Sequence, residues 1–121
     1  MTERRILHIE ISSPDDSMRQ FAEVWRQAER GEKVEPFHSV GFESMAELIS
    51  TLTPKRWELI ERLHEDGPMS IYALAKHLGR DYKNVHTDVK VLSELEIIQE
   101  TEDGKMAIPW DEIEAHFKLA A

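Results

Sequence analysis

The segment from residue 53 to residue 109 limits the possible folds more than any other part of the chain. It holds three helical stripes of apolar residues, and only Gly79 and Arg80 separate the second stripe from the third. Glycine at such a place ends a helix in the left-handed conformation, and a linker this short makes the next helix start at once in a new direction. After the third stripe, two short runs flank Asp103 and Gly104, which predicts an antiparallel hairpin. The predicted order is helix, helix, tight turn, helix and hairpin.

The predicted helices each begin at a residue that can cap a helix. Thr53 precedes Pro54 at the start of the first helix, and Ser70 precedes the second. A hydroxyl at the cap accepts a hydrogen bond from a free backbone N–H, and proline fits the first helical position. Asp81 is the expected cap of the third helix. A helix-turn-helix followed by a hairpin is a winged helix, so we expect a winged helix-turn-helix over residues 53–109.

The flanking segments predict further elements of both kinds. Leu7, Ile9 and Ile11 alternate with polar residues, which is typical of a strand. A helix and an irregular or edge strand should complete an N-terminal strand-helix-strand arm. The last residues are interpreted as an amphipathic C-terminal helix, with Ile113 and Phe117 on its inward side. The expected fold class is α+β, mostly α, with an arm (1–52), the winged helix-turn-helix (53–109) and the C-terminal helix (110–121).

Composition narrows the classes of function. The net charge of −9 argues against nucleic-acid binding through bulk charge, so any such function must rest on a local basic patch. The chain has no cysteine, which removes disulfide scaffolds and cysteine-ligated zinc. No apolar run approaches the length of a membrane span, and the N-terminus does not resemble a signal peptide. A cytoplasmic protein without membrane association is expected.

The third helix of the predicted winged helix carries such a patch. The spacing of three and four places Tyr82, Val85, Val89 and Leu92 inward. Residues 76–90 have a net charge of +2, and the opposite side of the helix is polar. Arginine and lysine can donate to guanine, asparagine can pair with adenine, and threonine can contact a phosphate or a thymine methyl group. We therefore predict contacts to double-stranded DNA from Ser70, Lys76, Arg80, Tyr82, Lys83, Asn84, His86, Thr87, Lys90 and Lys105.

Other features favour different functions. The hairpin carries Glu100, Glu102 and Asp103 against the single cation Lys105, so it is not expected to enter a minor groove. A winged-helix module that binds protein and not DNA is the alternative that this acidity supports. No HExxH, GxSxG or glycine-rich phosphate loop occurs, so we expect no enzymatic activity, no cofactor and no metal ligand.

Three stretches carry a family resemblance: LTPKRWELIERL, GPMSIYALAKHLGRDYKNVHTDVKVLSELEII and MAIPWDEI. They resemble small archaeal and bacterial winged-helix regulators related to the MarR-type transcriptional regulators. The resemblance implies a homodimer that binds DNA with the helix beginning near Asp81. It also permits the role of an antitoxin that binds a toxin partner. Such families often read Gly-Leu-Ile before the wing, whereas this chain has Glu96-Ile97-Ile98. Without the glycine, either Glu96 adopts a left-handed conformation at some cost or the helix ends differently.

Overall fold

The computed structural model describes residues 4–11, 14–31, 38–117 and 119. These residues form an α+β fold, as predicted from the sequence. In chain order the elements are β1 (Ile6–Ile11), α1 (Pro14–Glu29), β2 (His38–Phe42), α2 (Met45–Thr51), α3 (Pro54–Asp66), α4 (Ile71–Leu78), α5 (Tyr82–Glu94), β3 (Gln99–Glu100), β4 (Met106–Ala107) and β5 (Glu112–His116).

The chain divides into two compact units that interleave along the sequence. The helical unit comprises residues 1–5 and 52–111, and the sheet unit comprises residues 6–51 and 112–121. The helical unit holds α3, α4, α5 and the β3–β4 pair. The sheet unit holds β1, α1, β2, α2 and β5. Each unit therefore has its own set of elements and its own buried side chains.

Local capping explains where the helices of the helical unit begin. The Thr53 hydroxyl accepts a hydrogen bond from the backbone N–H of Arg56 at 3.4 Å, and that of Ser70 accepts one from Ala73 at 3.1 Å. Each bond satisfies one of the N–H groups that have no partner within the first turn of a helix. Asp81 occupies the N-cap of α5 but makes no side-chain capping bond. The predicted starts of all three helices are confirmed.

The turn between α4 and α5 is a Schellman motif. Gly79 has φ 63° and ψ 36°, in the left-handed region. Its N–H donates to the carbonyl of Lys76 at 3.1 Å, and the N–H of Arg80 donates to Ala75 at 3.0 Å. This pair of bonds satisfies the last carbonyls of α4, and only Gly79, Arg80 and Asp81 lie between α4 and α5. The tight turn predicted from Gly79 is confirmed.

The buried core of the helical unit consists of side chains from every one of its helices. One side of α5 faces this core, because the apolar residues of the helix recur at intervals of three and four. The residues that are at most 5% exposed are Leu52, Leu59, Ile60, Leu63, Leu74, Ala75, Val85, Val89, Leu92, Ile97, Ile98 and Trp110.

Glu96 lies between α5 and β3 and has φ 62°. It is the one non-glycine residue with positive φ among those described. Its carbonyl accepts a hydrogen bond from Nε1 of Trp110 at 3.2 Å, and the Arg5 guanidinium lies 4.9 Å from the centre of the Trp110 ring. Of the two alternatives that the missing glycine left open, the left-handed conformation is the one present.

The hairpin has shorter strands and a longer loop than its sequence suggested. β3 and β4 pair antiparallel over two residues each, with Gln99 opposite Ala107. The N–H of Thr101 donates to the carbonyl of Lys105 at 2.7 Å, and that of Gly104 donates to Thr101 at 3.0 Å. Gly104 has φ 83°, which is the left-handed position that a three-residue hairpin loop requires. The hairpin is therefore present where it was predicted, but with shorter strands.

The sheet unit is built on a three-stranded parallel sheet of order β2-β1-β5. β1 is the central strand, and its Leu7 and Ile9 are each 1% exposed. Val40 and Phe42 of β2 lie on the same face, because their Cα partners in the register are Ile9 and Ile11. The predicted strand-helix-strand arm is confirmed over β1, α1 and β2.

The predicted C-terminal helix is wrong. Residues 112–116 form β5, which pairs in parallel with β1 so that Ile6 lies opposite Glu112 and Glu10 opposite His116. Alternation along Glu-Ile-Glu-Ala-His suits a strand with one polar face, and the backbone bonds come from β1. The predicted inward position of Phe117 is also wrong, since its side chain is 43% exposed.

Among the described residues, none of the helices combines the length and the apolar character that crossing a bilayer requires.

Candidate nucleic-acid interface

The outer face of α5 presents a row of polar side chains. Lys83, Asn84, Thr87 and Lys90 are all exposed, whereas Val85, Val89 and Leu92 on the other side are buried. The intervals of three and four between them place the row along one side of the helix. Neither lysine forms an ion pair with any part of the chain that the structure describes. These four residues are hereafter called the α5 row.

The hydrogen-bonding capacity of the α5 row is largely available. The Thr87 hydroxyl donates to the carbonyl of Lys83 at 3.0 Å, so its lone pairs and methyl group remain exposed. The row combines two ammonium groups, one amide and one hydroxyl. This set can donate to phosphates and to purine edges, and the amide can pair with adenine in two hydrogen bonds.

Arg80 does not project with this row, and the prediction that it does is wrong. Its Nη2 donates to Oδ2 of Asp88 at 2.7 Å, and its side chain is 18% exposed. Nε of Arg56 donates to Oδ1 of the same carboxylate at 3.0 Å. Asp88 is 8% exposed, and a carboxylate this deeply buried requires cationic partners. Arg80 therefore has a structural role: its ion pair with Asp88 joins the turn before α5 to the middle of that helix.

A signal for this arrangement exists in the sequence. Asp88 falls beside Val85, Val89 and Leu92, on the side of α5 that should be buried. An acidic residue at such a position predicts a nearby arginine, because an unpaired buried charge is strongly destabilising. Arg56 and Arg80 are the two cations that pair with Asp88. Nη1 of Arg80 is buried and has no hydrogen-bond acceptor among the described residues.

The aromatic residues at the start of α5 are exposed. Tyr82 is 47% exposed, although its position in the apolar spacing predicted that it points inward. Its ring lies 5.9 Å from that of His86, with a tilt of 42° between the planes. The pair lies one turn apart on the helix and adds two hydrogen-bonding side chains next to the α5 row. Tyr82 and His86 are therefore placed on the surface, as their predicted DNA contacts require.

The predicted contacts on α4 have partners within the helical unit. The Ser70 hydroxyl caps α4, and Nζ of Lys76 lies 4.6 Å from the centre of the Tyr72 ring. Both residues are exposed, and a cation held over a ring keeps its positive charge. His77 is held by Asp66, with 2.9 Å between Nδ1 and Oδ2.

The hairpin is a weak source of positive charge. Nζ of Lys105 lies 3.7 Å from Oδ2 of Asp103. The other carboxylate oxygen, Oδ1, accepts a hydrogen bond from the Thr101 hydroxyl. This hydrogen bond lowers the pKa of the Asp103 carboxyl, and Lys105 lowers it further, so the carboxylate stays charged beside the lysine. Lys105 is therefore neutralised locally, and the hairpin does not extend the basic surface of α5.

Outside the helical unit, the sheet brings together a group that the sequence did not indicate. Ligand atoms of His8, Glu114 and His116 lie within 4.8 Å of one another. The group depends on pairing between β1 and β5, and the mistaken helix prediction hid it.

A shallow concavity of about 400 Å³ lies on the helical unit. Its lining is mainly charged, with Glu58, Glu61 and Glu65 around Arg62 and Leu78. Small-molecule sites are mostly apolar, so this surface does not resemble one.

The fold and the exposed helix define an α+β protein whose helical unit presents a polar, locally basic helix. Residues 51–115 match the model of the HVO_A0114 family. Since the match covers more than half of the 121 residues, the chain belongs to this family. No curated protein and no solved structure matches the chain with statistical significance.

Proposed function

We propose that this protein is a DNA-binding transcriptional regulator of the winged helix-turn-helix type, with α5 as the recognition helix. The observation that carries the proposal is the α5 row, which is exposed and belongs to a helix that a three-residue turn joins to α4. In a helix-turn-helix the second helix lies in the major groove with its N-terminal residues at base edges. Lys83, Asn84 and Thr87 occupy the first half of α5, where such contacts are made.

The charges of the helical unit support one docking orientation. The α5 row carries the unpaired lysines Lys83 and Lys90, whereas the concavity lined by Glu58, Glu61 and Glu65 is acidic. A duplex is attracted to the first surface and repelled by the second. Because the hairpin adds no net cation, α5 supplies most of the affinity in this proposal.

The test separates phosphate contacts from base contacts. Fluorescence anisotropy with the duplex upstream of the protein's own gene, at several salt concentrations, gives the slope of log K against log salt. We expect Lys83→Ala to flatten this slope by about 1, because each lost phosphate contact removes about 0.9 of counterion release. Asn84→Ala should leave the slope unchanged and reduce discrimination at one base pair by about 1–3 kcal/mol.

Arg62→Ala is the matched control, since it removes one cation from the acidic concavity and not from the α5 row. We expect no loss of affinity for this variant. The proposal is wrong if the wild-type protein does not bind its upstream duplex even at low salt, or if Arg62→Ala and Lys83→Ala change the slope equally.

The proposed partner in this assembly is a second copy of the chain, joined through α1. Met18, Phe21, Val24 and Trp25 are 47–70% exposed, and the Phe21 and Trp25 rings stack with centroids 6.4 Å apart. Monomeric proteins seldom expose so continuous an apolar surface. Glu23 and Arg26 lie on the same helix and pair with each other at 3.2 Å, so they place a polar ion pair on the same helix as the apolar surface. Dimers of this class bind half-sites about 34 Å apart on the duplex.

Sedimentation equilibrium tests this partner. The wild-type chain should be a dimer, and Phe21→Glu should be a monomer, because a carboxylate cannot be buried unpaired between two copies. Ile49→Glu, which alters an exposed apolar residue on α2, should remain dimeric. A monomeric wild type at micromolar concentration would refute the second copy and point to a different protein, such as a toxin, as the partner.

A protein-binding module without DNA binding is the second candidate. The acidic hairpin favours it, because Glu100, Glu102 and Asp103 are exposed and Lys105 is paired. In this case the upstream duplex would not be retained at any salt concentration, and Lys83→Ala would have no phenotype in the binding assay.

A further inference from the structure

The parallel pairing of β1 with β5 creates a polar face on the sheet. His8 lies opposite Glu114 in the register, and Glu10 lies opposite His116. Side chains of alternate residues in a strand point to the same side, so Glu114 and His116 share one face of β5. His8 joins them from the neighbouring strand. Segments that are more than one hundred residues apart in the sequence thus place two imidazoles and a carboxylate together.

The distances within this group suit metal coordination. Nδ1 of His8 lies 3.3 Å from Oε2 of Glu114, and ligand atoms of all three residues lie within 4.8 Å of one another. Tetrahedral coordination with bonds of about 2.0–2.2 Å places its ligand atoms about 3.4 Å apart. One pair already has this separation. Glu114 and His116 are exposed, so side-chain rotation can bring the third ligand inward without moving the strands.

The surroundings favour a cation. Glu10 and Glu112 belong to the same face by alternation, and they add negative charge around the three ligands. On the other side of β1, Gly41 lies opposite Glu10, and a Cβ built at Gly41 would have no neighbour within 4 Å. The sheet face is therefore open enough for a metal ion that keeps a water molecule.

We propose that His8, Glu114 and His116 bind a divalent transition metal ion, with Zn²⁺ as the expected ion. Two imidazole nitrogens and one carboxylate oxygen form a ligand set that zinc uses where one coordination position stays open. Imidazole ligands favour such ions over Mg²⁺ and Ca²⁺, which prefer oxygen ligands alone. Because the ligands come from β1 and β5, the ion would clamp the two strands together. The alternative is an ion pair between His8 and Glu114 without a metal ion, in which His116 takes no part.

Calorimetric titration of the tag-free full-length protein with ZnCl₂ tests the proposal. We expect one Zn²⁺ per chain, and an affinity that falls by at least about a hundredfold in His116→Ala. Loss of groups that only support metal ligands already costs 10–100-fold, and loss of a ligand should cost more. Glu114→Gln keeps the shape of the side chain and should weaken binding as well. His64→Ala, which removes an exposed histidine from α3, is the control and should bind as the wild type does.

Histidine side-chain NMR gives a second readout that does not depend on fold stability. Addition of Zn²⁺ should shift the imidazole signals of His8 and His116 and leave that of His64 unchanged. MgCl₂ should shift none of them. The proposal is overturned if the wild type binds no Zn²⁺ at a one-to-one ratio, or if His116→Ala binds it as tightly as the wild type. Neither result depends on DNA binding by α5.

Discussion

Replacement of Asp88 by alanine should destabilise the helical unit strongly. The carboxylate accepts hydrogen bonds from Arg56 at 3.0 Å and from Arg80 at 2.7 Å, and the three side chains are only 12–18% exposed. Its removal leaves two guanidinium groups in a largely buried site without a counter-ion. Breaking such a pair costs about 3–5 kcal/mol. In a domain of this size, that loss lowers Tm by about 12 °C or more.

Urea denaturation followed by tryptophan fluorescence measures the loss, because buried Trp110 belongs to the same unit. Asp81→Ala is the matched control, because it also replaces an aspartate by alanine. Asp81 is exposed at the N-cap of the same helix and makes no side-chain capping bond. This substitution should cost less than about 1 kcal/mol. Equal losses for Asp81→Ala and Asp88→Ala would refute the role given to the buried carboxylate.

Arg80 provides a further check of the same reasoning. If its guanidinium is held by Asp88, Arg80→Met should lower the free energy of unfolding and leave the salt slope of DNA binding unchanged. Lys83→Ala should do the opposite, with a flatter slope and a loss of stability within about 0.5 kcal/mol. A flatter slope for Arg80→Met would mean that this arginine contacts phosphate, as its sequence position first suggested.

Three smaller effects follow from backbone and turn geometry. Glu96→Gly should stabilise the protein by about 0.5 kcal/mol in urea denaturation, since relief of about 1–2 kcal/mol of left-handed strain exceeds the added entropy of the unfolded chain. Gly79→Ala should have the reverse effect and cost about 1 kcal/mol in the same assay, because its φ is also positive. The Asp103 carboxyl should titrate in NMR with a lowered pKa that rises towards its ordinary value in Thr101→Val. The stabilisation from this hydrogen bond is present above the pKa of an unfolded aspartate and is lost as the pH falls through the lowered pKa.

The features that could be predicted from the sequence are those set by neighbouring residues. Thr53 and Ser70 mark the starts of helices because each hydroxyl bonds three residues ahead, and Gly79 marks a turn through its own φ. At Glu96 the missing glycine narrowed the local outcome to two alternatives, of which the left-handed conformation is present. Such signals act within one turn of chain and do not depend on distant partners.

The features that could not be predicted depend on long-range contacts. Ile113 and Phe117 are four residues apart and fit a helix as well as a strand, and the choice is made by the backbone of β1. Arg80 was assigned to the exposed row from its position alone, because the pairing with Asp88 depends on how the turn folds back. His8 and His116 acquire a shared site only through the same β1–β5 pairing. In each case, a contact with a residue distant in the sequence determines the conformation or the pairing of the side chain.

The interleaving of the two units has a consequence for biosynthesis. β1 is synthesised before β5, its partner in the sheet, which follows more than one hundred residues later. Closing so long a loop is entropically costly and slow, whereas α3, α4 and α5 are contiguous in the chain and can associate as they leave the ribosome. The three-stranded sheet should therefore be completed only after the helical unit has folded, and a chain truncated after Asp111 should contain folded helices and a protease-sensitive N-terminal segment.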